Sequence, residues 1–200
     1  FIFGGIAAVW YMRRRGLPAL IYLDAIALGL PLGQAIGRWA NFINQELYGQ
    51  PTTLPWGIPI DANHRLASYS DLSLYPIEPT RFHPTFAYEM IWNFLAAALL
   101  IWLARRYTDK MKPGTVFGGW LVLAGMGRVL VELFRPDQPK IPGTQISYSA
   151  LVSALMAVAG LILLLSRFGK IQLGSFRWPD AYQVSTEPAQ FQSPQPKEKK

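Results

Sequence analysis

The chain has 200 residues, 51% of them apolar and 14% aromatic, with only 16% charged, against about a quarter in soluble domains. Its net charge of +7 lies in short runs between apolar stretches, a pattern that argues against nucleic acid and for the cytoplasmic surface of a membrane protein. There is no cysteine, which excludes disulfides, a thiolate nucleophile of the chain's own and a Cys-ligated metal.

Phe1–Met12 is apolar but short of the ~20 residues that a helix needs to cross a bilayer. No basic segment precedes it and no small-residue cleavage site follows, so it reads as the tail of a membrane helix beginning upstream rather than as a signal peptide. Four further spans are predicted at Ala19–Ile36, Thr85–Leu103, Val116–Phe134 and Ile146–Leu165. Residues 82–104 carry only His83 and Glu89 among acidic and basic side chains, and 143–166 carry none. Between the second and third spans, Gly37–Pro84 is rich in proline and aromatics and is predicted to be an ordered surface loop. Residues 171–200 turn to Gln, Pro, Ser and Lys, a composition that cannot bury a core and predicts disorder. The expected fold is therefore an all-α integral membrane protein with about five transmembrane helices and a long extracytoplasmic loop.

Topology follows from the basic residues, since cytoplasmic loops collect Lys and Arg. Arg13, Arg14 and Arg15 follow the first span, Arg105, Arg106, Lys110 and Lys112 the third, and Arg167 and Lys170 the fifth. All fall on one side of an alternating path, which makes that side cytoplasmic and places the C-terminal tail there. On this assignment Arg38, Arg128 and Arg135 break the rule, lying at or just inside the outer ends of helices.

Three constellations hold the candidate chemistry. In Gly37–Gly49, a helix would align Arg38, Asn41 and Gln45 on one face, with Asn44 and Glu46 flanking. An arginine offers a planar fork suited to phosphate and asparagines add neutral donors, although a polar helix end with a snorkelling arginine has the same composition. In Gly125–Arg135, Arg128 lies about two turns inside the apolar run, where facing lipid costs at least ~2.5 kcal/mol. Glu132 and Arg135 follow at i+4 and i+7, so two readings stand: an ion pair locking helices, or an anion held by the excess positive charge. The nearby Gly118, Gly119, Gly125 and Gly127 read as close-packing points between helices. At the start of the third span, His83 precedes the first-turn residues Pro84 and Thr85 and is a candidate proton carrier near neutral pH or a hydrogen-bonding loop residue. Glu89 lies one turn deeper, in reach of an arginine. His64 has no partner motif.

Together these residues resemble the bacterial prolipoprotein diacylglyceryl transferases over about residues 1–166. The resemblance is carried by Gly33-Gln34-Ala35-Ile36-Gly37-Arg38 through Asn41-Phe42-Ile43-Asn44, Glu46 and Tyr48-Gly49. It continues in Leu54-Pro55-Trp56-Gly57, in His83-Pro84-Thr85 with Tyr88-Glu89, and in Gly127-Arg128 with Glu132 and Arg135. It implies an enzyme of the bacterial cytoplasmic (inner) membrane, with seven helices of which these are the last five. That enzyme moves a diacylglyceryl group from phosphatidylglycerol to the lipobox cysteine of a prolipoprotein signal peptide, forms a thioether and releases glycerol phosphate, without metal or organic cofactor. Residues 1–170 would be its catalytic domain, with the site toward the extracytoplasmic leaflet. By motif match, the resemblance makes Arg38 the phosphatidylglycerol ligand, with Asn41 and Gly49 as required neighbours, and Arg128 the second essential arginine, paired with Glu132. It also implies a His-Gly-Gly motif with a catalytic histidine, of which Phe3-Gly4-Gly5 is not an intact form, so that histidine is expected upstream of residue 1, and it implies a glutamine where this chain has Ala150.

The acceptor must bring the thiol. The bond broken joins a glycerol carbon to a phosphate oxygen, so charge accumulates on phosphate and fixed arginines stabilise it. Arg38, Arg128, Glu132 and His83 are accordingly the expected catalytic residues. Asn41, Asn44, Glu46, Gly49 and Arg135, with Arg38, are the expected substrate-binding ones, Arg135 at the headgroup rim. Trp39, Trp56, Tyr69 and Tyr75 are expected to hold the loop at the interface. The competing readings are a transporter subunit for an anionic solute, which predicts broken helices near the midplane, and a scaffold in which the arginines only tie helices together.

Overall fold

The protein is described by a computed structural model covering residues 2–135, 138–171 and 182. Its elements run α1 (Ile2–Arg14), α2 (Ala19–Ile43), β1 (Pro51–Thr52), β2 (Arg81–Phe82), α3 (Thr85–Arg106), α4 (Thr115–Glu132) and α5 (Tyr148–Arg167), with short 3-10 turns in the connections. Helices α2 to α5 are each long and apolar enough to cross a membrane, as a multi-pass membrane protein requires. Of the five expected spans, α1 has 13 residues, fewer than a crossing needs. The predicted disorder of 171–200 lies outside the described residues, except for Ile171 and Tyr182.

Helix α2 outruns its predicted end at Ile36 by two turns, because nothing in Gly37–Ile43 breaks it. Arg38 and Asn41 are thereby helical. The helix stops where Gln45 and Leu47 take left-handed backbone conformations, with φ of 50° and 54°, which bulky L-residues adopt only when surroundings impose them. Here the Thr85 hydroxyl donates to the Leu47 carbonyl, and Gly49 N–H donates to the His83 carbonyl at 2.8 Å. Helix α5 starts at Tyr148, where the Ser147 hydroxyl accepts from Ala150 N–H at 2.9 Å, an N-cap of the usual kind.

The helices meet in two ways. Ala27, Leu100 and Val116, from α2, α3 and α4, form one buried apolar cluster. Helices α4 and α5 approach through glycine: a Cβ on Gly125 would collide with the Ser153 carbonyl and stand 2.8 Å from the Ala157 Cβ, and Gly118 and Gly160 face each other similarly. Small residues at such crossings let backbones close up where no hydrophobic drive exists, as the sequence suggested.

One buried charge fixes the far end of the bundle. Asp24 of α2 is 4% exposed and accepts from Gly114 N–H at 2.6 Å and Phe117 N–H at 2.7 Å, satisfying free amides at the start of α4. The Tyr182 hydroxyl donates to the same carboxylate at 2.6 Å, and burial together with this bond raises the Tyr182 pKa.

The loop between α2 and α3 has its own core of Tyr48, Ile60, Tyr69 and Phe82, closed by β1 and β2 pairing antiparallel with Pro51 opposite Phe82. Arg65 braces it, donating from Nε to the Ile60 carbonyl at 3.0 Å with its guanidinium 5.3 Å from the Phe82 ring centre. The four aromatics expected to hold the loop at the interface thus divide, and Trp39 lies within α2 rather than in the loop. Tyr69 is buried in this core and Tyr75 packs on it, whereas Trp39 and Trp56 are exposed.

Candidate active site

Three helices contribute one charge each to a single cluster. Glu89, one turn into α3 and 7% exposed, lies between the two arginines that the sequence singled out. One of its oxygens pairs with Arg38 Nη2 of α2, and the other accepts from Arg128 Nη1 of α4 at 2.8 Å. Glu89, not Glu132, is therefore the carboxylate partner of Arg128. An i+4 pair within α4 would turn Arg128 along its own helix. Instead the guanidinium crosses to α3 and α5, with Nε donating to Ser149 Oγ at 2.8 Å and Nη2 to Gln138 Oε1 at 3.2 Å. The Glu132 Oε2 atom is buried and accepts no hydrogen bond.

Arg38 is oriented from its other side. Its Nη1 donates to Asn41 Oδ1 at 3.2 Å, and the Asn41 amide is turned to present that oxygen because its Nδ2 donates to Glu46 Oε1 at 2.9 Å. Asn44 Nδ2 donates to the same Glu46 oxygen at 3.2 Å. The bonds from Asn44 and then Asn41 hold the Glu46 carboxyl below its usual pKa, since both favour its charged form. Gln45 does not join this face: α2 has ended, and its amide instead brackets Asp61, donating at 2.7 Å and accepting from Asp61 N–H at 2.8 Å.

The arginines and Glu89 form part of the wall of a cavity of about 180 Å³, completed by neutral side chains including Gln34, Trp92, Asn93 and Ser153. Trp92 is locked by its indole N–H donating to the Leu123 carbonyl at 2.9 Å. Its ring covers Gly127, where a Cβ would stand 2.8 Å from the indole Cε2. Two apolar clefts lie beside this cavity. One, about 540 Å³, is lined by Trp39, Phe42, Phe86 and Ile91; the other, about 350 Å³, shares Trp92 and Gly127 with the charged cavity. Trp56 and Tyr88 line both clefts.

His83 belongs to that boundary and does not line the charged cavity. Its Nδ1 lies 3.0 Å from the Tyr88 hydroxyl, which also accepts from the Trp56 indole N–H at 2.9 Å. An indole only donates, so the Tyr88 proton is directed at His83 Nδ1. Burial lowers the His83 pKa, favouring the neutral ring that can accept it.

The remaining predicted residues hold structure nearby. Gly49 packs where a Cβ would stand 2.8 Å from both His83 Cβ and Thr85 Cγ2. Arg135 lies beyond the end of α4 and is buried, at 9% exposure, rather than standing at an exposed rim. Ser149, Gln138 and Trp92 were missed by sequence reasoning. No spacing links them to Arg128: the packing of α3, α4 and α5 brings Trp92 and Ser149 to the site, and Gln138 reaches it from the connection between α4 and α5. Among the described residues no group of three or more His, Cys, Asp or Glu side chains is placed to hold a metal.

A family model described as prolipoprotein diacylglyceryl transferase matches residues 1–166. The chain is 44% identical over 143 residues to a phosphatidylglycerol–prolipoprotein diacylglyceryl transferase of Bifidobacterium longum, covering 67% of this chain and 45% of that protein. It is 40% identical over 169 residues to the protein of the same name from Cutibacterium acnes, covering 84% of this chain and 54% of that one. A third, from Chloroflexus aggregans, is 42% identical over 139 residues. The chain spans about half the length of the curated relatives it matches.

Proposed function

Because the chain belongs to the prolipoprotein diacylglyceryl transferase family, we propose that it forms part of an enzyme transferring diacylglyceryl from phosphatidylglycerol to the lipobox cysteine of a prolipoprotein. The observation that carries this reading is the convergence of Arg38 and Arg128, from different helices, on one small cavity flanked by apolar clefts. A phosphate held there would receive two guanidinium forks, while the clefts take the acyl chains.

In the reaction the lipobox sulfur forms a bond to the glycerol carbon as the carbon–oxygen bond to phosphate breaks. The electron pair of that bond goes to the phosphate oxygen, turning a monoanionic diester into a monoester that is largely dianionic at neutral pH, its second pKa being about 6. Arginines fixed in place stabilise this developing charge without reorganising. Asn41, Glu46 and Asn44 set the aim of Arg38. His83 receives the thiol proton through Tyr88, whose hydroxyl already points at Nδ1; Glu132 and Arg135 adjust the field behind Arg128, and Gly49 keeps the loop close to His83. The site faces the extracytoplasmic leaflet of the bacterial inner membrane, the whole protein has seven helices, and its partners are phosphatidylglycerol, signal peptides and the bilayer.

The test is release of glycerol phosphate from phosphatidylglycerol when a lipobox peptide is added to membranes bearing the native protein or its Arg38→Ala variant. The variant should lose transfer while keeping its fold. Near-native transfer would remove Arg38 from the phosphate site.

A further inference from the structure

The structure assigns Glu89 a part in the site beyond that of an arginine's partner: we propose that it is a charge-balancing and positioning residue that matches the site to a phosphate monoanion and disfavours the dianionic product. This rests on the reading that Arg38 and Arg128 bind the lipid phosphate.

Three observations carry it. Glu89 is buried, and its two oxygens are divided between two arginines on different helices. Among the described residues no other charged side chain lines the cavity, so the group of three carries a net charge of +1. Each arginine also has a second anchor, Asn41 for Arg38 and Ser149 for Arg128, which keeps the forks in place when a ligand draws donors away from Glu89. A carboxylate held by two guanidiniums sits where an anionic ligand would be drawn, and opposes each ligand charge in proportion to its number.

A phosphodiester brings one negative charge and neutralises the group. The glycerol phosphate left after transfer brings two, leaving one in excess beside Glu89 in a site of low dielectric, where repulsion is strong. Reaction therefore converts a well-matched ligand into a mismatched one, and Glu89 helps to expel the product. Without this carboxylate the arginines would favour the dianion and retain it.

The experiment compares two soluble headgroups at pH 7.5: glycerophosphoglycerol, a monoanionic diester, and glycerol phosphate, mostly dianionic. Binding to the chain in nanodiscs is read from the fluorescence of the cavity tryptophan Trp92, with Trp92→Phe as the signal control. In the native chain the diester should bind at least as tightly as the monoester. Glu89→Gln should shift the ratio of the two dissociation constants about tenfold in favour of the monoester, one charge's worth of lost repulsion. Glu89→Asp keeps the charge on a shorter arm. It should weaken both ligands in parallel and leave the ratio native. An unchanged ratio in Glu89→Gln, or an equal shift in Glu89→Asp, overturns the charge-balancing role, and a ratio is insensitive to partial loss of folded protein. If Arg38→Ala binds both headgroups as well as the native chain, the phosphate site itself is wrong, a different result from a fixed ratio.

Discussion

Arg128→Lys keeps the charge but removes the fork, so it isolates geometry from electrostatics. Arg128 makes three directional contacts, to Glu89, Ser149 and Gln138. A lysine ammonium is a single point on a flexible stem and can keep the one to Glu89 while forfeiting the other two. At about 0.5–1.5 kcal/mol net per hydrogen bond, the loss is ~1–3 kcal/mol of positioning, or roughly 5–150-fold in rate. Initial rates of glycerol phosphate release with saturating lipobox peptide measure it, with a melting curve to show that the helices remain packed. Ser149→Ala sharpens the test: it should slow the native enzyme but have no further effect in the Arg128→Lys background, because lysine no longer uses that hydroxyl. If Arg128→Lys stays within twofold of native, or if the two substitutions add in full, the fork is not what Arg128 supplies.

Asn41→Asp should lower transfer severalfold, because it removes the amide donor to Glu46, sets two carboxylates together and draws Arg38 out of the cavity; Glu46→Gln in the same background should restore part of the rate. Gly125→Ala should destabilise the α4–α5 pair by about 1–3 kcal/mol through overpacking, read as a lower melting temperature. Gly29→Ala in α2, where a Cβ meets nothing within 4 Å, should be neutral or stabilising by up to ~1 kcal/mol. His83 has a folded pKa below its unfolded value, so the unfolded chain takes up its proton first as pH falls. Its contribution to stability is full above about pH 6.5, the unfolded value, and is lost as pH drops from there through the folded pKa. Melting temperatures between pH 7.5 and 5 should show this slope, and His83→Asn should flatten it.

The helices were legible because apolar length and the spacing of basic runs report on a bilayer directly. What the sequence could not show was contact between helices. The i+4 spacing and the resemblance both point Arg128 to Glu132, and the sequence puts Glu89 in reach of an arginine without saying which; the structure shows it 39 residues from Arg128 and bonded to it from another helix. A continuing helix would place Gln45 with Arg38 and Asn41, but α2 ends at Ile43 and Gln45 itself takes a left-handed backbone conformation. The loop core around Phe82 was equally hidden, since Tyr69 and Tyr75 have the composition of interfacial anchors and only the antiparallel pairing of β1 and β2 reveals that they pack inward. By contrast the chain Arg38, Asn41, Glu46 was readable as a local cluster, and the structure adds its direction.

Two readings of Arg128 stood as alternatives: an ion pair tying helices together, or a binder of anions. The stoichiometry of the cluster makes them one. A lone arginine at this depth costs at least ~2.5 kcal/mol to leave facing lipid, and Glu89 offsets that cost by tying α4 to α3. Yet Glu89 is shared with Arg38, and one carboxylate cannot neutralise two guanidiniums. The pairing that stabilises the helix bundle thus leaves one positive charge over, in a cavity whose other lining side chains, among the described residues, are neutral. A scaffold alone would be better served by a second carboxylate in contact with Arg38 or Arg128. Glu132 is close in sequence but leaves its buried oxygen unbonded instead of closing onto Arg128. The residual charge is therefore a property of how the helices pack, and it is the feature on which the proposed binding of a phosphate monoanion rests.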